Sequence, residues 1–262
     1  MNRIAIIGAG NVGGALYRCL KGSFPEDALI LCDSHEGQLV RTGARQVTRD
    51  ADEAAHRADA LVVAVKPQSF ADLARSMTAP LAGKLVITVM AGVQLETVAG
   101  ALRVDSVVRA MPNLGAQVGR GVTAWIAAPA CTAPQLELAR RIFGAAGAGI
   151  EVHEESLLDA FTALGGSGPA YYFYLTELLA ENAVAMGFDP EQARTLAREV
   201  LSASARLLEL GDRTPGEWRK AVTTPGGTTE AAMRSFQERG LAEVFRAGLE
   251  AARARSAALN RG

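Results

Sequence analysis

A glycine-rich turn near the start of the chain has the residue types and spacing to bind a phosphate group. Gly8, Gly10 and Gly13 stand in GAGNVGG, directly after an apolar run and at the start of a predicted helix. In this pattern the first glycine allows a tight turn, the second lets a pyrophosphate approach the backbone, and the third lets the helix pack closely on the strand. The helix N-terminus then faces the phosphates. The stretch predicts a dinucleotide site; the alternative is a glycine-rich turn without a ligand.

Asp33 is the candidate residue for recognising the ribose of that dinucleotide. It ends the second apolar run, about 20 residues after the glycine turn, where a ribose-binding acid is expected. A carboxylate there accepts hydrogen bonds from a 2′-hydroxyl and repels a 2′-phosphate, which favours NADH over NADPH. Arg41 is within reach of the same loop, so NADPH stays possible if Asp33 turns away. A turn or helix-capping role is the other interpretation of Asp33.

Three further turns follow apolar runs: KPQ at 66–68, MAGV at 90–93 and MPN at 111–113. Loops at the carboxyl ends of parallel strands line the ligand crevice of an open sheet. Each turn could be a simple connection, but three on one edge favour a coenzyme groove. The predicted coenzyme-binding residues are Gly8, Gly10, Asn11, Val12, Gly13, Asp33, Ser34, Ala64, Val65, Lys66, Pro67, Ala91, Gly92 and Asn113.

The elements that would position these residues alternate in type along the first half of the chain. The apolar runs are residues 3–8, 28–32, 58–65, 84–92, 106–113 and 121–128. Short Val/Ile/Leu runs separated by helix-compatible segments indicate buried parallel strands. Later, segments rich in Ala, Leu, Glu and Arg indicate helices at 154–187, 190–211 and 228–258. The fold class is therefore α/β, with an N-terminal Rossmann-type doubly wound sheet (1–152) followed by an all-helical domain (153–262).

The helices of the second domain are apolar over wide faces, which is typical of helices that pack on a partner chain. A self-contained bundle is the alternative. Within this domain, VTTPGGTTEAAM (222–233) combines turn residues with a helix start. Pro225 stiffens the turn, Gly226 and Gly227 expose backbone N–H groups, and Thr228 and Thr229 begin the helix. This predicts an anion-binding helix N-terminus carrying two hydroxyls, or alternatively an ordinary capped helix start.

Composition excludes several other classes. The 262 residues carry a net charge of −1 with no basic tract, which argues against nucleic acid and anionic membranes as partners. The three cysteines have no paired spacing, which indicates free thiols in a reducing compartment, and the three histidines make no metal pattern. No signal peptide stands out and no apolar run reaches membrane-spanning length, so we expect a cytoplasmic protein without a metal.

Five motifs give the sequence a specific resemblance. AVKPQ (64–68), VMAGV (89–93), RAMPN (109–113), LGGSGPAYYF (164–173) and VTTPGGTTEAAM (222–233) resemble those of Δ1-pyrroline-5-carboxylate reductases over essentially the whole chain. The resemblance implies NAD(P)H-dependent reduction of the C=N bond of Δ1-pyrroline-5-carboxylate to L-proline, the last step of proline biosynthesis. It also implies a homodimer with interlocked C-terminal helices, which in this family often assembles into decamers.

The resemblance assigns the second-domain turn to the substrate. The backbone at Thr224, Gly226, Gly227 and Thr228 would hold the substrate carboxylate. The Thr229 hydroxyl would hydrogen-bond the ring nitrogen as the catalytic residue. LGGSGPAYYF would lie at the dimer interface beside the pocket, although a simple packing break between two helices also explains its glycines.

The sequence also departs from the family pattern. Leu114-Gly115 replaces a common Thr-Pro pair, Ala51 replaces an asparagine near the adenosine ribose, and the Asn-Arg of many NADP-using members is missing after Cys32. These changes leave open the coenzyme preference and a different cyclic imine as substrate. Two rival classes remain. One is a β-hydroxyacid dehydrogenase-like enzyme, whose glycine motif is followed by a catalytic lysine, whereas here no lysine occurs between GGSGP (165–169) and Lys220. The other is a coenzyme-binding sensor without turnover.

Overall fold

The structure, a computed structural model, describes residues 2–259. Its described part contains an eight-stranded sheet with the order β3-β2-β1-β4-β5-β6-β7-β8. The strands are β1 (Ile4–Ile7), β2 (Leu29–Cys32), β3 (Gln46–Thr48), β4 (Ala60–Val63), β5 (Leu85–Thr88), β6 (Val107–Pro112), β7 (Gly121–Ala127) and β8 (Gly147–Glu151).

Helices connect these strands and make up the rest of the fold. In the first part of the chain they are α1 (Asn11–Leu20), α2 (Glu36–Thr42), α3 (Ala51–Arg57), α4 (Pro67–Ser76), α5 (Leu95–Leu102), α6 (Ala133–Ala146) and α7 (Ser156–Phe161). The later helices are α8 (Gly168–Ala185), α9 (Pro190–Glu209), α10 (Pro215–Ala221), α11 (Thr228–Glu238) and α12 (Leu241–Leu259).

The central strands are buried on both faces, as their unbroken apolar runs predict. Every residue of β1, β2, β4 and β5 is buried. One apolar cluster covers one face of the sheet and includes Leu16 of α1 and Phe143 of α6. A second cluster covers the other face and includes Ala54 of α3, Phe70 of α4 and Val98 of α5. Helices on both faces of a largely parallel sheet confirm the predicted doubly wound architecture.

The sheet differs from the all-parallel expectation at β7, which pairs antiparallel with β6. The reason is the short connection: only a 3-10 turn at Leu114–Val118 lies between the two strands. A parallel return needs a crossover of a dozen or more residues, so the chain can only reverse here. The edge strands β3 and β8 were not predicted, because QVT is short and GAGIE contains little of the Val/Ile/Leu pattern.

The chain divides into two compact units. Among the described residues, one unit comprises residues 2–167 together with 252–259, and the other is Gly168–Ala251. Helices form the second unit. The predicted break between α8 and α9 is present, with Gly187 at φ +106° and the Asp189 side chain capping α9. The single helix predicted for 228–258 is wrong, because Gly240 at φ +71° separates α11 from α12.

Residues 2–259 contain neither a membrane-spanning helix nor a cluster of metal-binding side chains. No helix there combines the length and apolarity needed to cross a membrane. No group of three or more His, Cys, Asp and Glu side chains in that range is arranged to hold a metal ion.

Candidate active site

The sheet has a topological switch point between β1 and β4, where the strand order reverses. Open α/β sheets bind ligands in the crevice outside the carboxyl ends of the strands at such a point. Backbone hydrogen bonds join the first residues beyond the strands: Gly8 N–H donates to Cys32 O at 2.8 Å, and Ala64 N–H donates to Ile7 O at 2.8 Å. The predicted turns after β1 and β4 therefore form one continuous edge.

The three glycines of the first turn meet distinct spatial demands. Gly8 has φ +105°, and a Cβ on it would lie 2.6 Å from Ala64 O. A Cβ on Gly13 would lie 1.8 Å from Gly8 O, so only glycine permits this approach of α1 to the turn. Gly10 is different, because a Cβ there would meet no protein atom within 4 Å. The open space at Gly10 is where the sequence pattern predicts the pyrophosphate.

The N-terminus of α1 is available to an anion. Gly10 is its N-cap residue and provides no side chain, and the first turn contains no acidic residue. Asn11 and Val12 begin the helix and are exposed. The first N–H groups of a helix lack intrahelical partners and carry partial positive charge, so they favour a phosphate. Together with the open space at Gly10, this end of α1 fits the pyrophosphate of a dinucleotide.

Asp33 faces the backbone of the glycine turn. Its Oδ2 accepts from Ala9 N–H at 2.7 Å and its Oδ1 accepts from His35 N–H at 2.9 Å. The side chain is only 13% exposed. These contacts are the turn-stabilising role that was one of the two interpretations of Asp33. Oδ1 also lies 3.3 Å from Nδ1 of His35, so Oδ2 is the oxygen with room for a further hydrogen bond from a ribose hydroxyl.

Two cavities flank this edge. One of about 550 Å³ is lined by predicted coenzyme residues, including Gly8, Asp33 and Val65, and also by Ala51. The other, of about 240 Å³, lies beside Gly10. It is lined by Gly10, Asn11, Arg18, Gln38, Arg41 and Gln117. One cavity beside Asp33 and another beside Gly10 along the same edge are suited to an extended dinucleotide.

The cysteine beside this groove is not a nucleophile. Burial is the main reason that the pKa of the Cys32 thiol rises to about 12, and the nearby Asp33 carboxylate raises it further. A thiol with this pKa stays protonated at neutral pH, and only the thiolate is reactive.

The turns after β4 and β5 are ordered by their own local chemistry. Lys66 is the N-cap residue of α4 in extended backbone, and Pro67 is the first helical residue. After β5, Gly92 has φ +75°, which favours glycine, and Ala91 is exposed. Both turns lie at the carboxyl edge that carries the glycine turn, because β4 lies between β1 and β5.

Asn113, predicted to contact the coenzyme, has its side chain engaged in the protein. Its Oδ1 accepts from Gly115 N–H at 3.1 Å and from Val122 N–H at 3.0 Å. Its Nδ2 donates to Gly165 O at 2.9 Å. Gly165 belongs to a π-helical turn at Thr162–Gly166, directly after α7. The amide therefore ties the end of β6 to the start of β7 and to the π-helical turn.

We expect Asn113→Ala to lower the free energy of unfolding by about 1–3 kcal/mol, because it leaves several backbone groups without partners. Chemical denaturation measures this loss. Asn2→Ala, at an exposed position, is the matched control and should leave the midpoint unchanged. Equal midpoints for the two variants would contradict the structural role of the Asn113 amide.

The second unit contains the predicted TPGGTT turn directly before α11. Gly226 has φ +72° and the turn residues Thr224 to Gly226 are exposed. Gly227 N–H donates to Thr224 O at 3.0 Å, and a Cβ on Gly227 would lie 2.5 Å from Thr224 Oγ1. Gly227 is the N-cap residue of α11, and no side chain caps the helix. The sequence thus folds into an exposed helix N-terminus, as predicted.

The hydrogen bonds of this turn show which donors are open. Glu230 Oε2 accepts from Gly226 N–H at 2.9 Å, and the Gly227 N–H is used within the turn. Thr228 and Thr229 are the first two helical residues, whose N–H groups have no intrahelical acceptor. The helix therefore offers N–H groups and the Thr229 hydroxyl in one place. The internal partner supplied by Glu230 was not predicted.

Comparisons with known proteins identify the family of the chain. Residues 155–259 match the family model described as pyrroline-5-carboxylate reductase dimerisation, and residues 3–92 match the model described as NADP oxidoreductase coenzyme F420-dependent. The chain is 38% identical to pyrroline-5-carboxylate reductase of Mycobacterium tuberculosis, over 98% of this chain and 96% of the relative. The chain belongs to the pyrroline-5-carboxylate reductase family.

Other members of the pyrroline-5-carboxylate reductase family show the same relationship. The Methanosarcina acetivorans enzyme is 36% identical, over 93% of this chain and 92% of the relative. A solved structure of a pyrroline-5-carboxylate reductase from Coxiella burnetii has a TM-score of 0.91 and 30% identity, with 98% of each chain covered. The similarity thus extends over both units, and it excludes the β-hydroxyacid dehydrogenase-like alternative as the family.

Three residues that line the two cavities of this pyrroline-5-carboxylate reductase family member were not among the predicted coenzyme residues. Arg49 and Ser69 line the larger cavity, and Arg18 lines the smaller one. Arg49 also donates from Nε to Ser34 O at 3.2 Å. Arg18 lies two helical turns after Asn11, so helical spacing was the one available signal. Arg49 stands in a loop whose approach to Ser34 has no signature in the sequence.

Proposed function

We propose that this protein reduces the C=N bond of Δ1-pyrroline-5-carboxylate to give L-proline, using NADH or NADPH. The observation that carries the proposal is that one chain contains two sites, one suited to the coenzyme and one suited to the substrate. One is a dinucleotide-type sheet edge with open space at Gly10, and the other is an uncapped helix N-terminus that begins with Thr228 and Thr229. Membership of this family favours an enzyme with this reaction over a coenzyme-binding sensor without turnover.

The chain's own residues have modest tasks in this reaction. When bound at the sheet edge, the coenzyme would supply the hydride that reduces the imine carbon. We propose that the turn formed by Thr224, Gly226, Gly227 and Thr228 holds the substrate carboxylate. The open N–H groups at the start of α11 would be the main donors, because those of Gly226 and Gly227 have internal partners. The Thr229 hydroxyl then orients the ring nitrogen. A protonated imine is already a good acceptor, so positioning and exclusion of water account for most of the catalysis.

We further propose that the two halves of the chain divide the work. Residues 1–152 would bind the coenzyme through the edge residues named above, and residues 153–262 would bind substrate and pair with a second copy. The dimerisation model matched at residues 155–259 supports the pairing. Assembly of such dimers into decamers and a cytoplasmic location complete the proposal.

The first experiment is oxidation of NADH and of NADPH by the purified protein, each with Δ1-pyrroline-5-carboxylate as acceptor. Turnover with either coenzyme and formation of proline supports the proposed reaction. Coenzyme binding without turnover would redirect the proposal to another small cyclic imine, and the exposed Leu114 beside Gly115 would be the first place to look for the altered pocket.

For the coenzyme, we propose that Asp33 favours NADH, because its charge stands at the end of β2 and opposes a 2′-phosphate. Asp33→Ala is expected to raise the NADPH-to-NADH ratio of kcat/KM by about tenfold. Asp33→Asn is the control for the turn, since an amide oxygen can still accept from Ala9 N–H. A ratio that stays the same in both variants would remove Asp33 from the ribose site.

A further inference from the structure

A buried ion pair outside the described site connects β6 to the start of α7. Arg109 stands in the middle of β6 and is 5% exposed. Its Nη1 lies 2.6 Å from Oε1 of Glu155, which immediately precedes α7 and whose side chain is 31% exposed. A guanidinium so far removed from water needs a fixed partner, because an unpaired buried charge is costly.

The same carboxylate oxygen has a second task. Glu155 Oε1 accepts from Leu95 N–H at 2.9 Å. Leu95 is the first residue of α5, and the N-cap residue Gln94 gives this helix no side-chain cap. Glu155 therefore supplies, from 60 residues away in sequence, the negative charge that a helix N-terminus favours. Arg109 in turn holds Glu155 in place.

The turn between β5 and α5 is fixed at both ends by such contacts. At its start, Val89 N–H donates to Val63 O at 3.1 Å and Met90 N–H donates to Thr88 Oγ1 at 3.3 Å. At its end stands the Leu95–Glu155 contact. Only residues 91–94 lie between these anchors, and they include Ala91 and Gly92, which are predicted to contact the coenzyme.

We propose that Glu155, held by Arg109, is a positioning residue for the coenzyme. It sets the backbone of the turn at 91–93 by capping α5, although it contacts neither coenzyme nor substrate. This inference rests on the proposed function only in naming the coenzyme as a nicotinamide dinucleotide. A buried ion pair that serves stability alone would have no effect on coenzyme affinity in the folded protein.

Three variants separate these roles. Glu155→Ala removes the acceptor for Leu95 N–H and leaves Arg109 unpaired. Glu155→Gln keeps an acceptor oxygen for Leu95. The double variant Arg109→Met with Glu155→Met removes both charges, which relieves the unpaired Arg109, but it does not restore the acceptor. Glu154→Ala, at the neighbouring exposed position, is the control.

The measurement is the Kd for NADH and for NADPH by fluorescence titration of the full-length protein, well below each variant's Tm. Glu155→Ala and the double variant should both weaken binding by about tenfold, the equivalent of one lost hydrogen bond to a charged group. Glu155→Gln and Glu154→Ala should bind within about twofold of the parent.

Recovery of wild-type affinity in the double variant, together with recovered Tm, would overturn the proposal and leave a purely structural ion pair. A Glu155→Ala variant with a lower Tm but an unchanged coenzyme Kd would also overturn the proposal. If Glu155→Ala fails to fold, the other two variants still test the proposal. The double variant should then bind coenzyme about tenfold more weakly than Glu155→Gln does. Because the titration needs no turnover, these outcomes stay separate from a failure of the proposed reaction.

Discussion

Gly10→Ala is expected to weaken coenzyme binding by at least about 100-fold while leaving the unfolding temperature unchanged. In the protein alone an alanine Cβ at this position would meet nothing within 4 Å, and the backbone of Gly10 at φ −66° is accessible to alanine. The methyl group would instead occupy the space through which a pyrophosphate reaches the N-terminus of α1. The defect should therefore appear only when coenzyme is added.

Fluorescence titration with NADH and NADPH measures the binding, and thermal unfolding measures the fold. Gly13→Ala is the matched control, because its Cβ would lie 1.8 Å from Gly8 O. That variant should lose stability as well as binding. If Gly10→Ala binds coenzyme with unchanged Kd, the glycine turn is not the phosphate site, whatever the behaviour of Gly13→Ala.

The contrast between these two glycines shows what a sequence pattern can predict. The G-x-G-x-x-G spacing predicted the turn, the helix and their place after β1, because all three depend on neighbouring residues. It also predicted that Gly13 is needed for packing and Gly10 for a ligand, but it could not name the protein atoms that enforce the packing. Those atoms include Ala64 O, which faces Gly8, and Gly8 O, which faces Gly13.

Predictions failed where long-range pairing decides the outcome. β3 and β8 exist because their backbones pair with β2 and β7, not because QVT or GAGIE has strong strand patterns. The apolar run of β7 predicted a strand correctly, whereas its direction followed from the length of the preceding connection. A 3-10 turn is too short for the helical crossover that a parallel neighbour requires.

The site residues also divide into those whose geometry follows from the local sequence and those held by long-range contacts. The exposed TPGGTT turn was predicted from its own residues, since proline, glycine and threonine dictate local geometry. The contact of Asn113 with Gly165 spans 52 residues and that of Arg109 with Glu155 spans 46. Nothing in either local sequence indicates its partner. The prediction of Asn113 as a coenzyme residue therefore did not include its contact with Gly165, and no role was predicted for Glu155.

Thr229→Ala is expected to lower kcat by about 100-fold, the range for losing one positioned group that acts on the developing charge. Thr229 is the second residue of α11, behind the N-cap residue Gly227, so its hydroxyl is not needed as the helix cap. The variant should therefore keep its unfolding temperature. Coenzyme Kd should stay within about twofold, because the predicted coenzyme residues all belong to the first 113 residues of the chain.

Steady-state kinetics with Δ1-pyrroline-5-carboxylate measure the fall in kcat, and a coenzyme titration of the same preparation measures the Kd. Thr229→Ser keeps a hydroxyl and should recover most of the rate, whereas Thr195→Ala, an exposed threonine on α9, should behave like the parent. A fall in kcat without recovery by serine would assign the effect to packing at the helix start. Equal losses in turnover and coenzyme affinity would contradict the role of Thr229, because a group that acts on the imine nitrogen stabilises the transition state and not the bound coenzyme.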